Sequence, residues 1–207
     1  MPTDQPSRAR PKGSYAKGLA RRQQILDCAM EVIARRGANY TSLRAIAREI
    51  GVTHAALTHH FKTLDGLLVE VYKDSAAKLE VDHPIDEDVT PVERMRQAAL
   101  RNRRTMGLVQ LYTSLMASAI ENGHPDVTRF ASQRFADVRS EMGELVRREQ
   151  GHGRIRQDID PEQAASLIIA ASDGLQVQWL LEPEVEQIGA LALLDDLLRP
   201  PEQVSKG

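Results

Sequence analysis

Thr41 to Phe61 reads TSLRAIAREIGVTHAALTHHF, and this stretch decides the fold. Leu43, Ile46, Ala47 and Ile50 recur at three- and four-residue steps, the period of a helix with one apolar face. Gly51-Val52 then breaks the pattern, and Thr53 is a residue type that caps a new helix, with Ala56, Leu57 and Phe61 as its inward positions. The reading is two short helices joined by a tight turn, a helix-turn-helix. Helices shorter than roughly 12–15 residues are marginal in water, so the pair must pack on something else. Arg21 to Arg36 supplies the support: Ile25, Leu26, Ala29, Val32 and Ile33 keep helical spacing, and Gly37 is a fitting residue just past a helix end. In such a three-helix unit the last helix, about Thr53 to His60, is the one offered to the major groove of DNA.

Helix-turn-helix shapes also occur in proteins that never touch DNA, and charge discriminates. Residues 1–62 hold 11 Lys+Arg against 4 Asp+Glu, whereas the remainder holds 16 against 25. A net charge of −2 for the 207-residue chain hides this asymmetry, which is the electrostatic footprint of a nucleic-acid module joined to a non-binding body. The candidate DNA-binding residues are Thr41, Ser42, Arg44, Thr53, His54, Ala55, Thr58, His59 and Lys62.

With these residues in place, Arg22 to Leu68 resembles the DNA-binding domain of the tetracycline-repressor (TetR) family of bacterial regulators. The resemblance is carried by ILDCAMEVIARRG, TSLRAIAREIGV and LTHHFKTLDGLL, and AASDGLQVQWLLEPE (Ala170–Glu184) is similar to the penultimate helix of many members. Two positions depart from the family pattern. Leu64 stands where members usually carry a phosphate-gripping lysine, a charge that Lys62 would supply instead, and Thr58 stands where an aromatic residue is common.

Beyond the head, Leu64, Leu67, Leu68, Val71 and Tyr72 mark a long connecting helix to about Leu79, and the acidic, Pro-containing HPIDEDVTP ends it. Helical stretches are expected at about Val92–Arg104, Met106–Glu121, Pro125–Gln150, Pro161–Leu181 and Val185–Leu198, with Gly107 among the breaks. No alternating strand pattern appears. The fold class is therefore all-α, about nine helices, which the resemblance also implies. Its expected organisation is a basic N-terminal arm (residues 1–17), a helix-turn-helix domain (18–63), and a connecting helix with an effector-binding and dimerisation body (64–207). The arm carries Arg8, Arg10, Lys12 and Lys17 and would follow DNA; a solvated tail without a role fits it equally well.

The last two expected helices are apolar over a broad arc, more than one core face requires. A homodimer through a four-helix bundle follows, which is the arrangement the resemblance implies, with Leu167, Ala171, Gly174, Leu175, Gln178, Leu191 and Leu194 as the dimerisation residues. A monomer with central helices is the alternative. TetR-like proteins enclose an effector cavity in the middle helices, which points to Leu111, Tyr112, Leu115, Met116 and Phe130, with Gln110, Thr113 and Ser114 as polar neighbours; a plain core accounts for each of them singly.

The single cysteine, Cys28, excludes an intramolecular disulfide and reads as a small buried hydrophobe, with redox sensing as an outside option. His54, His59 and His60 lack the i, i+4 spacing that aims two imidazoles at one metal ion. No phosphate loop, nucleophile elbow or zinc-protease motif is present, so no catalytic residue, metal or cofactor is expected. No run approaches 18 consecutive apolar residues and the N-terminus lacks the apolar stretch of a secretory signal, which predicts a cytoplasmic protein without a membrane partner. The function expected is a transcriptional regulator, a repressor released from a palindromic operator in double-stranded DNA by a small apolar effector. The alternatives are an effector-independent architectural DNA-binding protein and, more distantly, a helical enzyme.

Overall fold

The computed structural model describes residues 12–37 and 42–201. Every regular element among them is helical: α1 (Lys12–Arg36), α2 (Leu43–Glu49), α3 (His54–His60), α4 (Leu64–Asp82), α5 (Pro91–Asn102), α6 (Met106–Ala119), α7 (Pro125–Gly151), α8 (Pro161–Leu181) and α9 (Gln187–Leu198). The element types and their order agree with the periodicity, and the differences have physical reasons. Helix α1 starts at Lys12 rather than Arg21, because its first turns have no apolar face for periodicity to detect. Leu19 there is 52 % exposed. Lys12 and Lys17 therefore belong to a helix, whereas Arg8 and Arg10 lie outside the described residues.

Side-chain caps set the helix starts. Ser42, Thr53, Thr63, Thr90 and Asp160 each accept a hydrogen bond from the backbone N–H three residues on. The helix-turn-helix turn depends on Gly51, whose φ of 69° is costly for a residue with a Cβ, and the following Val52 N–H donates to the Ala47 carbonyl at 2.9 Å. Gly107, expected as a break, lies instead in the first turn of α6 and serves packing. A Cβ there would sit 2.7 Å from the Ala34 Cβ, so α6 crosses α1 at a distance that only glycine permits.

One hydrophobic cluster runs without interruption through head and body. Ile25, Leu26, Val32 and Ile33 of α1 meet Ile46, Leu57 and Phe61 of the helix-turn-helix, Leu67 and Val71 of α4, and Leu108, Leu111 and Leu115 of α6. The head is thus not a separately cored bead. Ala56, expected inward, is exposed because Leu57 and Phe61 alone carry the buried side of so short a helix; Cys28 is half-buried rather than enclosed. A second cluster joins α5, α7, α8 and α9 around Val92, Val146, Ile168 and Leu191, and a third lies between α7 and α8 at Met142, Ala165 and Ile169.

Helix α8 is the most apolar long element. By length and mean hydropathy (1.2) it would suit a membrane span, and 33 % of that window is buried within the protomer. Its uncovered side carries Leu167, Ala170, Gly174, Val177, Gln178 and Leu181 at three- and four-residue steps, beside Leu193 and Leu197 of α9. Ala171 is half-buried at the edge of that side. Leu191, expected on this face, is fully enclosed in the second cluster, and Leu175 and Leu194 pack partly against it. The apolar repeat of α9 places its outward side too far inward: with 100° per residue, the face left uncovered is Leu193 and Leu197.

Candidate functional site

The head presents a polar strip along α3. His54, Ala55 and His59 are exposed on it, Thr53 stands at its start and Lys62 just past its end, while Arg44 projects from α2 alongside. Ser42 is exposed too, but its hydroxyl oxygen is engaged in capping α2. Thr58 is half-buried and its hydroxyl donates back to the His54 and Ala55 carbonyls, at 3.0 and 3.1 Å. Thr41 lies outside the described residues. Leu64, in the place of a lysine, opens α4 and packs partly against the head's core.

Polar contacts tie this head to the body, among them Gln23 of α1 to Asp74 of α4 and Asp27 of α1 to Lys78 of α4. Arg22 of α1 pairs with Glu70 of α4 while its guanidinium lies 5.2 Å from the centre of the Phe61 ring, so one side chain holds α1, the end of α3 and α4. At the start of α4, Asp65 Oδ2 sits 2.8 Å from His124 Nδ1, and the Thr63 hydroxyl donates to Asp126 at 3.3 Å. The corner between α6 and α7 is thereby fastened to the residues that follow the candidate recognition helix.

Two cavities lie behind this junction. An open cleft of about 890 Å³ runs between the α3 end, α4 and α7, lined among others by Phe61, Val69, Tyr72, Phe130, Arg134 and Val138. A smaller chamber of about 160 Å³ lies deeper, between α4, α5, α6 and α8, with Arg101, Asn102, Tyr112, Asp173 and Gln176 in its wall. Tyr72, Ala76 and Arg134 line both and form the partition. The Tyr112 hydroxyl donates to Asp173 at 3.1 Å, and Asn102 donates to Gln176 at 3.1 Å. Burial raises the Asp173 carboxyl above its usual range, against the hydrogen bond from Tyr112 and the nearby Arg134 charge, and burial likewise pushes up both Tyr72 and Tyr112. Among the described residues, no three His, Cys, Asp or Glu side chains gather where a metal ion would be held.

Of the five expected cavity residues, Phe130 lines the cleft and Tyr112 the chamber. Leu111, Leu115 and Met116 line neither; they belong to the core that joins α6 to α1 and α4, and Gln110 is exposed on the outer side of α6. A stripe of large aliphatic residues looks the same in sequence whether it fills a core or walls a cavity.

Residues 25–71 match the family model of the bacterial regulatory proteins, tetR family, and residues 88–199 match that of the BetI-type transcriptional repressor, C-terminal. The second match alone spans more than half of the chain. The protein belongs to the TetR family. Among curated relatives, the HTH-type transcriptional repressor Rv1474c of Mycobacterium tuberculosis is 23% identical over 204 residues, covering 91% of this chain and 98% of its own. Salmonella enterica GusR has the same fold, with a TM-score of 0.69 at 21% identity over 87% of this chain and 94% of GusR. The SmeT–triclosan complex aligns with a TM-score of 0.65 at 24% identity, covering 86% and 90%. This TetR-family chain is accordingly a DNA-binding transcriptional regulator built on a helix-turn-helix head and a helical body.

Sequence reasoning misses the polar residues of this regulator's partition and chamber: Arg101, Asn102, Arg134, Asp173 and Gln176, together with Tyr72, which reads as core. One signal is present. Asp173 interrupts the otherwise small and apolar run AASDGL in α8, and a carboxylate in a helix buried on one side is there for a partner.

Proposed function

We propose that the chain is a homodimeric repressor that binds a palindromic operator in the cytoplasm and leaves it when a small-molecule effector occupies the cleft and chamber behind α4. The head (residues 18–63) reads DNA through Arg44, Thr53, His54, Ala55, Thr58 and His59, with Ser42 and Lys62 on phosphates, and the remainder (64–207) binds the effector and the partner. The observation that carries this reading is the unbroken core from Leu57 of α3 through Leu67 and Val71 of α4 to Leu111 of α6, together with the Asp65–His124 fastening. A ligand lodged between α4 and α7 changes the tilt of α4 and, through this core, the separation of two recognition helices that must lie about one DNA turn apart. A dimer supplies the second helix, and the uncovered apolar side of α8 and α9 supports one.

Selection of bound fragments from a random DNA library tests it. The expected product is a two-fold symmetric site with half-sites about 10 base pairs apart or a multiple of that. Binding without sequence preference would instead favour an architectural protein, and an asymmetric single half-site would remove the dimer.

A further inference from the structure

Arg134 is a half-buried charge with one buried donor that has no acceptor. It stands in the partition between the cleft and the chamber, its guanidinium 5.8 Å from the Tyr72 ring centre and 5.2 Å from that of Tyr112. Its Nε is buried without an acceptor, and its polar neighbours are the Tyr112 hydroxyl and the Asp173 carboxylate. Across the chamber Arg101 pairs with Glu80 at 2.6 Å, but its Nε too is buried without an acceptor. A guanidinium N–H removed from water with no acceptor carries the whole desolvation cost of that group, and a ligand oxygen would relieve it.

We infer that the effector is an amphipathic organic acid whose carboxylate pairs with Arg134 at this partition while its apolar part occupies the outer cleft against Val69, Phe130 and Val138. The inference rests on the reading of the body as an effector-binding unit and names the ligand's chemistry. Charge in the cleft favours an anion: Arg22, Lys62, Lys73, Arg129 and Arg134 line it against Glu70, Asp126 and Asp137. A cationic ligand fits less well, because Arg134 already stacks on the faces of Tyr72 and Tyr112, and the one carboxylate of the inner wall near them, Asp173, already accepts from the Tyr112 hydroxyl. An acid meets the opposite situation, a guanidinium that lines the cleft with apolar walls beyond it. The site also lies where it matters for the switch. Arg134 is on α7, Tyr72 on α4 and Tyr112 on α6, so a carboxylate drawn to Arg134 alters the contact of all three helices.

The test uses the full-length protein and a panel of simple acids in place of the natural effector. Benzoate, phenylacetate, 2-naphthoate and decanoate are titrated beside the primary amide and the amine of matching shape, with melting temperature and operator release as readouts. At least one acid is expected to bind about ten-fold or more tightly than its amide and to release the operator, with the amine weakest. Arg134→Met, which keeps the aliphatic stem, is expected to abolish the preference for acid over amide, and Arg134→Lys to retain only part of it, because the charge stays while the planar fork and its stacking are lost. The comparison of acid with amide is made first on the unaltered chain, so it stands even if a variant fails to fold. Acids no tighter than their amides, amines preferred, or no acid binding at millimolar concentration would overturn the inference. Amides or amines that bind and release the operator would leave the regulator intact and remove only the anion, whereas loss of sequence-specific DNA binding in the unaltered chain would remove the regulator reading itself.

Discussion

Leu64 packs the start of α4 partly against the head's core, whereas Lys62, two residues earlier, is exposed. Residues on the α3 strip therefore fall into two kinds with separable effects. His54→Ala is expected to change which bases are preferred at the operator, whereas Lys62→Ala weakens all sequences alike and lowers the salt slope by about one unit per contact. Equal losses on every sequence for both variants, measured by competition with a mutated operator set, would contradict the division. A second prediction concerns stability and lies far from DNA. Glu149 is fully buried at the end of α7 beneath Arg154 and Arg148, and its hydrogen bond from Arg154 holds its carboxyl below the ordinary value of 4.5. A depressed acid stabilises the fold in full above its unfolded value and ceases to do so as pH falls through the lower folded one. Glu149→Gln is expected to cost about 1.5–3 kcal/mol at pH 7, since a hydrogen bond to a charged group is lost while its arginine partners stay partly solvated. In urea unfolding the gap to wild type should narrow below pH 4.5; a gap unchanged down to pH 3 would show that ionisation is not its source.

At the scale of elements, the helices are legible because each carries its own start, stop and period. Pro161–Leu181 can be read to the residue: Asp160 caps it, Pro161 opens it and Glu182-Pro183 ends it, all local chemistry. Gly107 misleads for the complementary reason. A glycine between two helical stretches reads as a break, and only the crossing of α6 over α1 shows it as a contact point, with Ala34 of α1 against it. Gly107→Ala follows as a prediction in which two effects oppose. Alanine gains up to about 1 kcal/mol in helix propensity, but its Cβ would lie 2.7 Å from one atom and 3.1 Å from a backbone atom of Ala34, and such overpacking costs about 1–3 kcal/mol. Net destabilisation is expected, with a lower melting temperature. A variant more stable than wild type would mean that α1 and α6 separate freely. Because α1 carries the helix-turn-helix, the same substitution is expected to change operator affinity by more than the lost stability alone explains.

For the molecule as a whole, the proposed dimer rests on the uncovered apolar side of α8 and α9. Gly174 is exposed, and a Cβ there meets nothing within 4 Å of it in the protomer. Gly174→Arg should therefore leave the fold intact by circular dichroism and sediment as a monomer, with operator affinity lowered on the order of a hundred-fold through loss of the linked second half-site. A dimer that persists would move the interface away from α8. Amino-acid sequence by itself determined the parts of this protein that follow from local rules: an all-helical chain, a basic helix-turn-helix with Thr53 and Gly51 at its turn, and an apolar surplus on α8 and α9. Periodicity and capping act between residues a few positions apart, so they can be read directly. Tertiary structure alone decided which apolar residues became core and which became surface or cavity wall. Leu111, Leu115 and Leu191 are enclosed, whereas Leu193 and Leu197 are left uncovered. It also brought Tyr72, Tyr112, Arg134 and Asp173 together from four different helices. Those assignments depend on which helix lies opposite and at what angle, and hydrophobicity along one chain segment carries no record of its neighbour.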